Sequence, residues 1–206
     1  MNAKVAKALV LAGALLALAG TALVWHGLPG RPLPQEPSGP LAAATRLSLP
    51  AFALHGPRGA FANADLAGRW TFLFFGYTRC PDICPTALSL MTEVKGRLAG
   101  APAPVPQVVF VSVDPLRDTN ALLAEYLAAF DASFVGVSGD DAALAPLAKA
   151  LGVRYERHDS RDARNYTVDH SAVIYLLDPQ GRLAAAFPPP QTPGVLAAEF
   201  RRLAAP

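Results

Sequence analysis

The chain has 206 residues, of which 52% are hydrophobic, and its formal net charge at pH 7 is only +2. This length is sufficient for one domain with a substantial core and additional segments. Because acidic and basic residues are interspersed and no basic face is evident, the composition argues against a nucleic-acid-binding protein.

The first 26 residues are predicted to be a membrane-targeting segment with a single membrane pass. Lys4 and Lys7 precede an uncharged and largely apolar run over residues 8–25. About 18 residues in a helix extend roughly 27 Å, which is close to the hydrocarbon thickness of a bilayer. This length favours an uncleaved anchor over a cleaved signal peptide, and both alternatives stay open. In either case the lysines stay in the cytoplasm and the remaining chain is exported.

Residues 27–48 are rich in proline, glycine and alanine and lack a regular hydrophobic period. We therefore expect a tether that leads to a single domain over residues 49–206. The composition and the simple lysine-flanked segment favour a bacterial inner membrane over a mitochondrial one. The domain is then expected in the periplasm, an oxidising compartment in which disulfides form.

The domain is predicted to begin with a hairpin over residues 51–61, after which strands and helices alternate. In chain order, the predicted elements are strand 70–75, helix 86–98, strand 107–113, helix 120–130, strand 134–137, helix 141–151, strand 153–156, strands 172–177 and 182–187, and helix 195–203. A charged, exposed loop is expected over residues 158–165. This order predicts an α/β sandwich with a mixed central sheet flanked by helices.

The only two cysteines, Cys80 and Cys84, lie between the strand 70–75 and the helix 86–98. Redox pairs of the thioredoxin type have two residues between the thiols, whereas three separate them here. The longer loop still permits a disulfide, and it also lets both sulfurs face one metal ion. Arg79 and the amides of a helix N-terminus are expected to favour the thiolate form. The spacing alone leaves both a redox pair and a soft-metal site open.

A metal site needs a third ligand, and the chain has four histidines. Three of them are predicted to lie at the membrane edge, in the first hairpin or in the charged loop: His26, His55 and His158. His170 is different because it follows Asp169 directly before the strand 172–177. In a thioredoxin-like fold this position faces the cysteine pair and usually holds a proline. His170 is therefore the candidate for a ligand or an acid–base role.

Three segments resemble the signature blocks of the Sco/SenC family: residues 75–86 around the cysteines, residues 111–119, and residues 168–172 around the histidine. They occur in the family's order, and the resemblance covers residues 49–203. Members of that family are membrane-anchored copper proteins with a thioredoxin fold. The resemblance therefore implies a thioredoxin-like fold for this chain. It also implies a copper site formed by Cys80, Cys84 and His170.

The resemblance further implies a function in copper handling. Family members deliver copper to the binuclear copper centre of cytochrome c oxidase or reduce the cysteines of that centre. The implied partners are the copper-bearing oxidase subunit and a thiol reductant or another copper chaperone. Two thiolates and one imidazole are a soft donor set that suits Cu(I) or Cu(II), whereas structural zinc normally takes four protein ligands.

Two further acidic residues are predicted to support the site. Asp169 is expected to accept the second ring N–H of His170, or else to cap the local turn. Asp82 is expected to tune the thiolates or contact a partner, or else to cap the following helix. Asp114 and Asp118 are expected to be turn and cap residues.

A copper metallochaperone, rather than an enzyme, is the favoured interpretation. The main alternative is a membrane-anchored thiol–disulfide oxidoreductase that uses Cys80 and Cys84. The presence of His170 separates the two, because a pure oxidoreductase needs no histidine at that position. A peroxiredoxin-like peroxidase is disfavoured because the Pro-x-x-x-Thr-x-x-Cys pattern is absent from the sequence.

Overall fold

In the computed structural model, the described residues are 41–100, 105–158 and 165–205. They form ten strands: β1 Leu41–Ser48, β2 Ala53–Gly56, β3 Gly59–Ala62, β4 Thr71–Gly76, β5 Gln107–Ser112, β6 Val135–Ser138, β7 Tyr155–His158, β8 Thr167–His170, β9 Ile174–Leu177 and β10 Arg182–Phe187. They also form four α-helices: α1 Ile83–Leu98, α2 Asn120–Ala128, α3 Asp141–Leu151 and α4 Pro193–Ala204. A short 3₁₀ helix covers Asn63–Leu66.

Eight of these strands form one mixed sheet in the order β1-β10-β9-β4-β5-β6-β2-β3. The central strands β4, β5 and β6 are parallel, and β9 runs antiparallel to β4. All six residues of β4 are buried, as expected for a strand that is covered on both faces. The predicted thioredoxin-like α/β sandwich is therefore confirmed.

Most helix boundaries follow from capping residues that are visible in the sequence. Thr119 accepts a hydrogen bond from the Leu122 amide at the start of α2, and Asp140 accepts one from the Ala143 amide at the start of α3. Gly152 ends α3 in the left-handed conformation, with φ of 69°. These caps confirm the predicted positions of both helices.

The small β2–β3 hairpin is also confirmed, and it forms one edge of the sheet beside β6. The β9–β10 hairpin closes through the predicted turn, in which the Gly181 amide donates to the Asp178 carbonyl. The two hairpins lie on opposite sides of the parallel core.

Three features differ from the sequence prediction. Residues 41–48, assigned to the tether, form β1 on β10, so the domain begins earlier than predicted. The four residues before Ser171, to which the sequence prediction assigned no strand, form β8 in a separate two-stranded sheet with β7. Helix α1 begins at Ile83 rather than at Thr86, and its first turn therefore contains Cys84.

The predicted membrane anchor over residues 8–25 lies outside the described residues. Among the residues that the structure describes, no helix combines the length and apolarity that a membrane crossing needs.

The parallel strands decide where a site can form. The carboxyl ends of β4 and β5 lie together, because Gly76 pairs with Ser112 in the parallel register. In α/β sheets ligands bind in the crevice outside these strand ends. The cysteine loop follows β4 at this edge.

Candidate metal centre

Both cysteines are held at the junction of β4 and α1. The Cys80 amide donates to the Tyr77 carbonyl across a tight turn, 3.2 Å away, and Cys84 lies in the first turn of α1. Cys80 is 9% exposed and Cys84 is fully buried. Both are free thiols. The loop therefore presents one sulfur near the surface and a second sulfur behind it.

His170 reaches the cysteines from the second, smaller sheet. It is the last residue of β8, and its backbone pairs with Tyr155 of β7. Its Nε2 lies 3.3 Å from the Cys84 sulfur. One donor atom from each of Cys80, Cys84 and His170 lies within 4.8 Å of the others. The structure thus brings together the three residues that the sequence singled out.

The orientation of the imidazole suits a ligand. The His170 Nδ1 lies 3.2 Å from the Ser171 carbonyl oxygen, which can only accept, so Nδ1 carries the proton. Nε2 then presents its lone pair toward the sulfurs. The rings of Phe74 and Tyr77 contact the imidazole edge-on, at 5.9 and 5.8 Å between centroids. These contacts fix both the tautomer and the ring plane, as in many metal-ligating histidines.

Asp169 does not orient His170, contrary to the sequence prediction. Its carboxylate lies 2.7 Å from Nε2 of His158, and its side chain is 79% exposed. The physical reason is the strand itself, because consecutive residues of a strand point to opposite faces. With His170 turned toward the thiols, Asp169 points outward. The Ser171 carbonyl takes the expected acceptor role instead.

His158 is exposed, as predicted, but it lies in a strand rather than in a loop. It ends β7 opposite Thr167, and its partner is the Asp169 carboxylate. This pair lies on the outer face of the small sheet.

Asp82 occupies the N-cap position of α1, but its side chain makes no capping hydrogen bond. Its backbone carbonyl accepts from the Thr86 amide. The carboxylate lies at the rim of the cavity over the cysteines. This position is compatible with contact to a partner and does not support the predicted side-chain cap.

The two thiols have opposite acidities. A hydrogen bond from Cys84, with further ones from the amides of Asp82 and Cys84, lowers the pKa of Cys80 to about 4 despite its burial. The hydrogen bond to Cys80 and complete burial raise the pKa of Cys84. The metal-free site therefore holds a Cys80 thiolate that accepts from a protonated Cys84. The backbone amides at the start of α1 act as predicted, in line with helix N-termini elsewhere.

The ligand set opens to solvent on one side. A cavity of about 350 Å³ lies over it, lined by Cys80, Pro81, Ile83 and His170 among others. A neighbouring cavity of about 310 Å³ shares Asp82 and Ile83 and extends to Pro189 and Pro190. The sulfurs and the imidazole can thus be approached by groups of another molecule.

Sequence reasoning missed a buried polar network behind this site. Asp114 and Asp118 are only 2% and 3% exposed, and Arg117 forms an ion pair with Asp114. They were expected to be turn and cap residues. Asp114 does close a turn, because its carbonyl accepts from the Arg117 and Asp118 amides, but Thr119 rather than Asp118 caps α2. One feature of the sequence could have indicated a role near the site: both residues follow the buried strand β5, whose end adjoins the cysteine loop.

The chain shows clear similarity to known proteins. A family model described as SCO1/SenC matches residues 43–205. The mitochondrial protein SCO2 homolog of Bos taurus is 39% identical over 120 residues, which are 58% of this chain and 45% of the relative. The SCO2-like protein RC0895 of Rickettsia conorii is 38% identical over 138 residues, 66% of this chain and 67% of the relative. This chain spans about half the length of the mitochondrial relatives that it matches.

A solved structure adds a comparison at the level of the fold. The structure of ScoI from Bradyrhizobium japonicum with copper bound is 39% identical, with a TM-score of 0.66. The match covers 76% of this chain and 99% of that one.

Proposed function

The chain belongs to the SCO1/SenC family, and we propose that it is a copper metallochaperone that binds one copper ion through Cys80, Cys84 and His170. We further propose that it delivers this ion to the copper-bearing subunit of cytochrome c oxidase. The observation that carries the proposal is the convergence of three soft donors within 4.8 Å at an open site. The copper in the related ScoI structure supports the choice of metal.

The donor set fits copper on chemical grounds. Thiolate sulfur and neutral imidazole suit copper in either oxidation state. The imidazole already presents an unprotonated Nε2, and Cys80 is already ionised. A structural zinc site would normally have a fourth protein ligand. A site with three protein ligands and an open side suits an ion that must later be handed on.

Loading and release follow from the state of the thiols. Binding by both sulfurs requires Cys84 to lose its proton, so one proton leaves as copper enters. Copper affinity is therefore expected to fall as the pH is lowered. Release proceeds by ligand exchange, in which soft donors of the recipient enter through the open cavity and replace the three ligands. A Cys80–Cys84 disulfide would prevent loading, so a thiol reductant is a required partner, and another copper chaperone would supply the ion.

The location is also a proposal. We place the domain in the periplasm, attached to a bacterial inner membrane by residues 8–25. Membrane fractionation with protease accessibility of the domain in spheroplasts tests this assignment. Recovery of the full-length chain in the soluble cytoplasmic fraction would contradict it.

The binding proposal is tested with the full-length reduced chain in detergent and anaerobic copper titration. Wild type is expected to bind about one copper per chain, with thiolate-to-copper charge-transfer absorption when Cu(II) is used. Cys80→Ala and His170→Ala should weaken binding by at least roughly 100-fold, because each removes a ligand. His158→Ala is the matched control, since His158 is an exposed histidine outside the ligand set. Undiminished copper affinity in His170→Ala would overturn the proposal.

A second function, thiol–disulfide exchange, is favoured by the asymmetry of the two thiols. The Cys80 thiolate can attack a disulfide of a partner, which forms a mixed disulfide and releases one partner thiolate. Cys84 then loses its proton and attacks the Cys80 sulfur, which releases the second partner thiolate. The partner disulfide is reduced to two thiols, and Cys80–Cys84 becomes oxidised.

Rapid reduction of a recipient disulfide by wild type and by His170→Ala alike would favour this second function. A rate no faster than that of free glutathione would exclude it. The two functions can also be successive uses of one site, because the same thiols serve both.

A further inference from the structure

We propose that Asp114 and Asp118 are positioning residues of the metal centre, in which one carboxylate holds the cysteine loop and the other holds the strand that carries His170. This inference rests on the proposed copper site and explains how its two halves keep their distance. Both carboxylates belong to the 114–118 turn, which follows β5 directly. This turn is closed by hydrogen bonds from the amides of Arg117 and Asp118 to the Asp114 carbonyl, at 3.1 and 2.9 Å.

Asp118 holds the cysteine loop. Its Oδ2 accepts from the Thr78 amide at 3.0 Å, and its Oδ1 accepts from the Thr78 hydroxyl at 2.6 Å. The Ser112 hydroxyl at the end of β5 donates to the same carboxylate at 2.6 Å. Thr78 belongs to the short loop between β4 and Cys80. The carboxylate therefore ties that loop to the end of the neighbouring strand.

Asp114 holds the other half through two partners. It forms an ion pair with Arg117 and accepts a hydrogen bond from the Tyr166 hydroxyl. Arg117 in turn donates through Nη1 to the Tyr166 carbonyl at 2.9 Å and stacks on the Tyr166 ring at 3.5 Å. Tyr166 directly precedes β8. The start of the strand that ends in His170 is therefore fixed to the 114–118 turn by both side chain and backbone.

Tyr77 joins the two halves directly. Its side chain lines the cavity over the cysteines together with Val168 of β8. The Arg117 guanidinium lies 5.7 Å from the centre of its ring, and the same ring contacts the His170 imidazole. The chain of contacts thus runs from the turn through Arg117 and Tyr77 to the ligand itself.

The two carboxylates are not ligands themselves. Their oxygens are engaged by hydroxyl, amide and guanidinium donors, and a soft-donor site gives little preference to carboxylate. Carboxylates that are 2% and 3% exposed would be costly to bury without such partners. Because each is satisfied by a different half of the site, the pair fixes the distance between the sulfurs and the imidazole.

The test compares Tyr166→Phe, Asp114→Asn and Asp118→Asn with a matched control, Asp178→Asn. Asp178 is also a fully buried carboxylate paired with arginines, but it lies in the β9–β10 turn. All four full-length variants are loaded with copper in detergent. The three site variants should weaken copper binding by roughly 10- to 100-fold, as removal of outer supports does at other metal sites. They should also shift the Cu(II) charge-transfer bands, whereas the control keeps the wild-type spectrum.

A metal-free measurement separates this inference from the proposed function. Hydrogen exchange of the β8 amides should be at least about tenfold faster in Tyr166→Phe and Asp114→Asn, since local opening sets such rates. Exchange in β8 should stay unchanged in Asp178→Asn. Failure of wild type to bind copper would overturn the proposed function while leaving this exchange result interpretable. Folded site variants with wild-type copper spectra, affinity and β8 exchange would overturn the positioning role.

Discussion

The thiol half and the imidazole half of the candidate site are built in different ways. The cysteines follow β4, which is hydrogen-bonded on both sides in the eight-stranded sheet. His170 ends β8, whose ladder partner is β7 in a two-stranded sheet. An isolated two-stranded unit is only marginally stable, so its position depends on what anchors it. Backbone ladders thus place the sulfurs, whereas buried side chains place the imidazole.

The largest expected effect lies within the thiol half and tests whether the fold makes its two sulfurs unequal. At pH 6 in the presence of a chelator, iodoacetamide should modify Cys80 on the order of 100-fold faster than Cys84. The reason is that the pKa of Cys80 is lowered to about 4, whereas that of the buried Cys84 is raised. Peptide mass spectrometry after brief exposure measures both rates. Equal labelling, or a Cys80 rate that rises only near pH 9, would contradict the asymmetry.

A second prediction concerns how tightly the sheet confines Cys84. A Cβ on Gly76 would lie 2.5 Å from the Cys84 sulfur and 2.8 Å from the Phe110 ring. Gly76→Ala should therefore lower the free energy of unfolding by roughly 1–3 kcal/mol. Urea denaturation of the reduced, metal-free protein measures the change.

Gly96→Ala is the matched control for that substitution. Gly96 lies in α1, and a Cβ there meets no atom of the described residues within 4 Å. This change should raise the free energy of unfolding by about 0.5–1 kcal/mol, because alanine favours the helix. If both variants behaved alike, the cysteine loop would not be confined as the structure indicates.

The parts of the fold that the sequence predicts are those with local signals. The apolar run of β4, the cap at Asp140 and the turn at Gly181 each specify their element within a few residues. β1 was missed because its pairing partner, β10, is remote in sequence and its own residues resemble a linker. β8 was missed because four residues with mixed polarity become a strand only when β7 lies beside them.

The site residues also separate into those with a signal in the sequence and those that depend on remote contacts. Cys80, Cys84 and His170 could be predicted from residue type, from position relative to strands, and from the family resemblance. The role of Asp169 was predicted wrongly, because adjacency in sequence places it on the opposite face of β8. The roles of Asp114 and Asp118 depend on contacts with Tyr166 and Thr78, which no sequence spacing reveals.

A third prediction tests whether a general loss of stability can imitate the loss of the contacts that anchor the β7–β8 sheet. Burial alone would raise the pKa of Asp178, but hydrogen bonds from Arg182, Arg46 and the Gln180 amide lower it on balance. A carboxyl with a lowered folded pKa stabilises the protein above its unfolded pKa, and this contribution is lost as the pH falls through the folded value. Asp178→Asn should therefore cost about 1–2 kcal/mol at neutral pH.

The same substitution should flatten the loss of stability below pH 4. Urea denaturation from pH 7 down to pH 3 measures both effects. Because Asp178 closes the β9–β10 turn of the eight-stranded sheet, the cost should appear as global unfolding without selective opening of β8. An unchanged dependence of stability on pH would show that this carboxylate does not stabilise the folded protein. Selective opening of β8 would remove the distinction between the thiol half and the imidazole half of the site.

The smallest expected effect concerns the aromatic ring that the two halves share. The Tyr77 ring packs edge-on against the His170 imidazole, at 5.8 Å between centroids. Tyr77→Leu keeps an apolar side chain but loses this ring contact, which should cost about 1 kcal/mol and appear as faster hydrogen exchange of the β8 amides. Tyr126→Leu is the control, because the Tyr126 ring makes its aromatic contacts with Phe110 and Phe130. If exchange in β8 were equal in the two variants, Tyr77 would not link the cysteine loop to β8, and the imidazole would depend on the 114–118 turn alone.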